Sequence, residues 1–229
     1  MAQPTDFFTK EISQIYDERN RQLAPISECL YFLLRLMLKD LPKNSRVLCV
    51  GVGTGAEILS LAKDFPAFTF LGIDPSAPML EVCRERLTAA GVIDRCELLH
   101  GYIHDAPEGE NFNVALSILV GHFVPREEKV NYYRAISTRL RSGGTFIDAQ
   151  ISFDLNSPEL PLMLDHWARL QAIRGADAEA LAKLSQQLRE PLSILPPDEV
   201  EGLLKLSGIS SPLRFFQALM ICGWLCTKN

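Results

Sequence analysis

Val47-Leu-Cys-Val-Gly-Val-Gly-Thr-Gly-Ala-Glu-Ile-Leu-Ser-Leu-Ala62 is an apolar run that enters a glycine-rich bend at Gly51, Gly53 and Gly55 and continues at once as a helical pattern. A second apolar run, Phe68 to Ile73, ends on Asp74, 23 residues after Gly51. Glycines let a backbone turn tightly and approach a ligand closely. The helix that follows presents N–H groups and a positive dipole end to a carboxylate or phosphate. A carboxylate at the tip of the neighbouring strand accepts both hydroxyls of a ribose. Together these are the means by which a parallel α/β sheet grips an adenosine-containing cofactor. Read alone, the glycine motif also suits a tight turn in a protein that binds no nucleotide. With Ala56 it even satisfies the G-x-G-x-x-A spacing of nicotinamide and flavin sites.

Outward from this stretch, strands and helices alternate. Residues 5 to 40 are helical in pattern and Pro42 ends them. Arg46–Val50 reads as the first strand, Ala56–Asp64 as a helix and Phe68–Ile73 as the second strand. Ser76 is placed to cap the next helix, with Pro78 tolerated in its first turn. Leu80, Cys83 and Leu87 form its apolar stripe and Gly91 stops it. Cys96–His100 and Asn113–Ile118 read as the third and fourth strands. A helix is expected over Pro125–Leu140, with Val130, Tyr133, Ile136 and Leu140 on one face. Ser142-Gly143-Gly144 should end it and lead into a fifth strand, Thr145–Gln150. Such alternation implies right-handed crossovers and a parallel sheet.

Residues 154–196 break the pattern. They hold no strand and two amphipathic helices, one carrying Met163, Trp167 and Leu170, the other Leu181, Leu184 and Leu188. A helix at Pro197–Leu206 follows, then runs at Leu213–Leu219 and Ile221–Thr227 whose short join suits an antiparallel hairpin. The chain therefore reads as one domain over 1–229. Its parts are N-terminal helices (1–44), a cofactor-binding core (45–153), a helical insert or lid (154–196), and a closing helix with a strand pair (197–229). The apolar faces of the insert suit either a homodimer or folding back onto the same subunit.

The bulk numbers narrow the function. The 229 residues carry a net charge of −5 and no Lys/Arg run, which argues against broad electrostatic capture of nucleic acid. No CxxC pair occurs among the six cysteines, and the four histidines lack ligand spacing, so no metal site or disulfide framework is expected. The N-terminus lacks the pattern of a signal peptide. The apolar stretch Cys29 to Leu38 is broken by Arg35 and too short to span a bilayer. A soluble cytoplasmic protein with no membrane partner is expected.

The stretches Val47–Gly55, Gly72-Ile-Asp-Pro-Ser-Ala-Pro-Met-Leu80, Leu116-Ser-Ile-Leu119 and Leu140-Arg-Ser-Gly-Gly144, with the closing strand pair, resemble the class I S-adenosylmethionine-dependent methyltransferases. The resemblance spans nearly all of residues 45–229. It implies a doubly wound, mostly parallel seven-stranded sheet of order 3-2-1-4-5-7-6, its last strand pair antiparallel, and S-adenosyl-L-methionine as cofactor. It further implies methyl transfer to an acceptor, here a small molecule given the acidic chain. By the same resemblance, the cofactor's methionine end lies over Val50, Gly51, Val52, Gly53, Thr54 and Gly55. Asp74 holds the ribose, with Pro75 and Ser76 beside it. The adenine lies near Gly101, Tyr102 and Ile103, and Leu119 and Val120 pass under the sulfonium.

Two positions depart from the family. Cys49 and Tyr102 stand where it usually carries acidic residues, and Asp105 is the nearest other acceptor for an adenine amino group. The N-terminal helices, the insert and Arg214-Phe-Phe-Gln-Ala-Leu are similar to the carboxy-S-adenosylmethionine synthase group. The arginine that group uses for the extra carboxylate has no clear counterpart here, Arg189 being the nearest candidate, and this narrower reading is not adopted.

Methyl transfer needs alignment of nucleophile, methyl and sulfur, and a base only if the acceptor starts protonated. His122, just past the fourth strand, is the candidate base, against a reading as a packed histidine on Phe123. Tyr16, with Arg19, is placed to close the site from the N-terminal helix, against a reading as a solvated helix face. Trp167 reads as acceptor pocket or as core. Three further functions stay open on these residues: an RNA-modifying or cofactor-carboxylating enzyme, a binding protein without turnover, and a nicotinamide oxidoreductase. Pro75-Ser76 and the closing antiparallel strands oppose the last.

Overall fold

The computed structural model of the chain describes residue 18 and residues 20–229. Seven strands run β1 (Arg46–Val50), β2 (Thr69–Asp74), β3 (Cys96–His100), β4 (Phe112–Ile118), β5 (Leu140–Ile151), β6 (Ile209–Ala218) and β7 (Ile221–Lys228). They form one sheet of order β3-β2-β1-β4-β5-β7-β6. The first five are parallel, and β7 lies antiparallel between β5 and β6. This is the sheet expected from the family resemblance. The β6–β7 join turns at Leu219, which takes φ +51.

Alternation along β1 sends its side chains to both faces. Val47 and Cys49 pack beneath α1 (Ala24–Met37), α2 (Ala56–Asp64) and α3 (Ala77–Ala89), through Leu34, Leu38, Ile58, Leu61, Cys83 and Leu87. Leu48 and Val50 face the opposite layer, where α4 (Lys129–Ser137) and α8 (Pro197–Leu206) bring Tyr133, Ile136, Val200 and Leu204 against Phe146 and Trp224. Burial on both faces is why these strands are nearly unbroken apolar runs.

Three expectations are corrected. The helix after Pro125 ends at Ser137, and Leu140 opens β5 instead, fully buried opposite Phe112. Ser142-Gly143-Gly144 therefore does not end a helix. The register between β4 and β5 shifts there, and a Cβ at Gly144 would lie 2.7 Å from the Arg141 carbonyl. The insert holds three helices rather than two: α5 (Leu160–Ile173), α6 (Ala178–Ala182) and α7 (Leu184–Arg189). A break at Lys183 lets Leu184 and Leu188 turn inward while Leu181 stays half-buried. Finally, β6 starts at Ile209, because Gly208 and Ser211 take positive φ and let Ile209 reach the core before the expected start at Leu213.

Trp167, Leu184 and Leu188 meet Leu30 of α1 and Phe216, Ile221 and Met220 of the hairpin in a third apolar cluster. Trp167 is a core residue of this cluster and is 4% exposed. The insert thus sits over the exit of β5 and the start of β7. No helix among the described residues is long and apolar enough to cross a membrane.

Candidate functional site

The exits of β1, β2 and β4 meet at the glycine turn. Gly51 and Val52 both donate their N–H to the Ile73 carbonyl of β2, at 2.7 and 3.1 Å. Gly53 donates to Asp74 Oδ2 at 2.8 Å, and Ser76 donates to Asp74 Oδ1 at 2.8 Å. The Ser76 hydroxyl in turn caps α3 by accepting from Met79. Asp74 is only 8% exposed. Burial raises its carboxyl above the usual range, opposed by the N–H bonds from Ser76 and Gly53 and by His100. Each oxygen accepts one N–H and keeps a lone pair for a further donor.

Two glycines of the turn have different reasons to be there. Gly51 takes φ +66, and a Cβ on it would lie 2.4 Å from Val120 Cγ2, so the chain beyond β4 rests directly on the turn. Gly53 takes φ +53, and a Cβ there would meet nothing within 4 Å. Gly53 is thus where the loop backbone meets open space, which a ligand's atoms can approach closely.

The turn is tied down from behind. Arg86 of α3 donates to the Thr54 carbonyl at 2.9 Å and to its hydroxyl at 2.7 Å. Glu57, in the first turn of α2, is 6% exposed. Burial pushes its carboxyl up to about 8; its own N–H bond and Arg86 oppose this, and Asp74 adds to it. Cys49 is fully buried, and its thiol is raised by burial and then by Glu57. A thiol kept protonated in this way is a small apolar filler, not a nucleophile.

On the β3 side, Gly101 donates to the Asp74 carbonyl at 3.1 Å. Tyr102 donates its N–H to Asp105 Oδ2 at 2.8 Å, capping the turn Ile103–Asp105. Asp105 is therefore engaged in holding this turn, and the Tyr102 ring is 46% exposed. Arg139, 6% exposed, reaches across from the end of α4. It donates twice to the Ala106 carbonyl (3.2 and 2.8 Å), to His104 (3.2 Å) and to Ala135 (2.9 Å).

On the β4 side, Leu119 adopts φ +60, with its N–H on the Ala149 carbonyl at 2.5 Å. His122 follows in the turn Gly121–Phe123 and is 4% exposed. Its ring lies 4.4 Å from that of Phe123. Nδ1 accepts the Ile151 N–H at 3.4 Å, and the His122 carbonyl accepts from Ser193 at 2.8 Å. Burial, then the charge of Lys129, lowers its pKa to about 3. The imidazole is neutral at pH 7 and a weaker base than a free histidine.

The structure thus gathers Val50–Gly55, Asp74, Pro75, Ser76, Gly101–Ile103 and Leu119 around the ends of four neighbouring strands. His122 is turned instead toward β5 and the insert. Tyr16 and Arg19 lie outside the described residues. The sequence reading missed Glu57, Arg86 and Arg139. Glu57 and Arg86 are charged residues on helices and Arg139 follows one, all at positions that periodicity treats as solvated, and none carries a spacing signal. Beside the insert, Arg126, Asp154, Asn156, Arg189, Ser193 and Glu199 line a cavity of about 370 Å³. There Arg126 pairs with Glu199 at 2.5 Å, and Arg189 donates to the Leu155 carbonyl at 2.6 Å. Among the described residues, no group of three or more His, Cys, Asp or Glu side chains could hold a metal ion.

Residues 47–144 match the methyltransferase domain family. That span runs from the first strand to the opening of the fifth and includes Asp74 with its Gly53 and Ser76 partners. Over these residues the chain is similar to the class I S-adenosylmethionine-dependent methyltransferases. The chain is 22% identical over 230 residues to a carboxy-S-adenosyl-L-methionine synthase of Haemophilus ducreyi, a match covering 97% of this chain and 92% of that protein. It is 24% identical over 143 residues to the enzyme of the same name from Methylococcus capsulatus, covering 61% of this chain and 59% of that one. An O-methyltransferase family 2 protein of Planctomyces limnophilus, solved with apigenin, has the same fold. Its TM-score is 0.66 at 16% identity, over 97% of this chain and 62% of that one. The chain thus spans about six-tenths of that solved relative and of the Methylococcus protein.

Proposed function

We propose that this protein transfers a methyl group from S-adenosyl-L-methionine to a nucleophilic atom of a small molecule. The observation that carries the reading is the placement of Asp74, a buried carboxylate pinned by Gly53 and Ser76 N–H groups at the tips of β1 and β2. Its spare lone pairs fit two ribose hydroxyls, and the open space at Gly53 fits the close approach of a ligand. In this reading Gly51–Gly55 hold the methionine end, Pro75 and Ser76 flank the ribose, and Gly101, Tyr102 and Ile103 flank the adenine. Leu119 lies under the sulfonium. The cofactor supplies a methyl group on a positively charged sulfur.

What the chain contributes is alignment and exclusion of water, which can supply about 7–11 kcal/mol of the barrier. His122 is neutral and buried, so it serves as packing and as an acceptor for the β5 backbone rather than as a base. The insert over β5 and β7 acts as a lid on the acceptor. The net charge of −5 supports a small-molecule acceptor over a nucleic acid. The relative solved in complex with apigenin shares this fold. Exposed Leu162 and Ile173 on α5 support a homodimer through the insert. Light scattering on a column would show it as a doubled mass.

Calorimetric titration with S-adenosylmethionine, S-adenosylhomocysteine and NAD tests the reading. The first two should bind and NAD should not, and Asp74→Ala should lose affinity at least tenfold. Preference for NAD overturns it.

A second reading, formation of a carboxylated S-adenosylmethionine, draws support from the similarity to two synthases of that name. Mass spectrometry of the nucleoside that co-purifies with the protein separates the two. A sulfonium heavier by one CO2 would favour the second.

A further inference from the structure

Lys129 opens α4 with its side chain fully buried, a setting in which lysine is rarely found without partners. Its ammonium donates to the carbonyl of Gly121. That carbonyl also accepts the Val124 N–H at 3.1 Å, and Phe123 closes the same turn on the Val120 carbonyl at 2.9 Å. From the other side the turn leans on β5. A Cβ at Gly121 would lie 2.7 Å from the Gln150 amide, and Ile151 donates to His122. Gln150 is itself held by donating to the Tyr133 hydroxyl at 2.7 Å and to Asp148 Oδ2.

Just upstream, Leu119 holds φ +60, a conformation that persists only where the surroundings over-determine it. Val120 then rests on Gly51. An unbroken line of contacts therefore runs from the Lys129 ammonium through the turn to the glycine loop.

We propose that Lys129 is a positioning residue, whose bond to the Gly121 carbonyl clamps the turn after β4 and so sets where Leu119 and Val120 stand against the glycine loop. The effect on the cofactor rests on the methyl-transfer reading above, and the clamp itself does not. The charged and titratable groups acting on Lys129 are His122 from the turn, Asp148 from β5, and Glu199 of α8 with its partner Arg126. Burial lowers the Lys129 ammonium to about 8, against the pull of Asp148 and then Glu199. Above that pH the amine is neutral and a poorer donor, so the clamp loosens as pH rises.

Two measurements on the full chain test this, comparing wild type with Lys129→Met, which keeps an unbranched side chain one atom shorter and removes the charge. The first is amide hydrogen exchange over residues 119–124, referenced to β1 and β4. Exchange should rise in the turn alone in the variant. In wild type, exchange corrected for its intrinsic pH dependence should rise in the same segment between pH 7 and 9.5.

The second is S-adenosylhomocysteine binding by calorimetry over the same range. Lys129→Met should bind about tenfold more weakly near pH 7, the scale of one charged hydrogen bond. The difference from wild type should shrink as pH passes 8. Glu57 titrates in this range in both proteins, so only the difference between them reports Lys129. Unchanged exchange in the turn overturns the proposal, and so does exchange that rises equally in β1 and β4, because Lys129 would then support the whole fold. If wild type fails to bind S-adenosylhomocysteine at any pH, the methyl-transfer reading fails and the exchange comparison alone decides the clamp.

Discussion

The Asp74 carboxylate accepts the Gly53 N–H at 2.8 Å, which joins the tip of β2 to the loop beyond β1 in one hydrogen-bonded unit. Ser76 holds the other oxygen at the same distance. Asp74→Asn keeps one acceptor and turns an NH2 group toward an N–H donor. Leaving such a buried donor unsatisfied costs about 1–3 kcal/mol. Urea unfolding should show a loss of that size, and calorimetry should show S-adenosylhomocysteine affinity reduced about tenfold or more.

Gly51 and Gly53 should respond differently to alanine. Gly51→Ala drives a methyl into Val120 as well as straining φ, so stability and binding should both fall. Val120→Ala in the same chain should restore part of the stability. Gly53→Ala meets no atom and suffers only the left-handed backbone cost of about 1–2 kcal/mol. It should fold near normally while its methyl intrudes on the ligand side, and calorimetry should find most of the affinity gone.

Glu57 gives stability a pH slope of uncommon sign. Its folded pKa is about 8 against 4.5 for the free side chain. The folded state therefore holds a proton that the unfolded chain has released. Its contribution is complete below pH 4.5 and is lost as pH rises to 8. The slope for one proton is about 1.4 kcal/mol per pH unit. Between pH 6.5 and 8, denaturant unfolding should show stability falling with pH in wild type and a flatter profile in Glu57→Gln.

His122 behaves in the opposite sense. Its folded pKa of about 3 lies below the usual 6.5, so the unfolded chain binds the extra proton and stability is lost as pH falls below 6.5. The ring resonances of His122 in proton NMR should not titrate between pH 5 and 9. A titration near 6.5 would restore it as a candidate base.

Arg139 gathers the carbonyls of Ala106, His104 and Ala135 in a buried site. Arg139→Met should cost on the order of 3 kcal/mol, since several buried carbonyls lose a charged donor together. It should also weaken S-adenosylhomocysteine binding by releasing the turn beside Tyr102. Thermal melts and calorimetry on the one variant measure both.

The order of elements from Arg46 to Ile118, the glycine bend and the carboxylate at the end of β2 are local signals, and they could be read directly. A strand buried on both faces must be a continuous apolar run, and a turn with positive φ must be glycine-rich, so the residues themselves encode these features. The resemblance carried the sheet order, which nearest-neighbour patterns alone do not determine.

What the sequence could not determine is where charged side chains go when the tertiary structure buries them. Lys129 begins a helix and Arg139 follows its end in places that periodicity assigns to water, yet one is fully buried and the other nearly so. Leu140 looked like the last residue of that helix, and its partner Phe112 across the sheet made it a strand. His122 followed β4 where an active-site base would stand, but the packing of β5 and the 192–196 segment turned it inward. Burial, partner and protonation state are properties of the assembled layers, because each depends on residues far apart in the chain that only folding brings within hydrogen-bond distance.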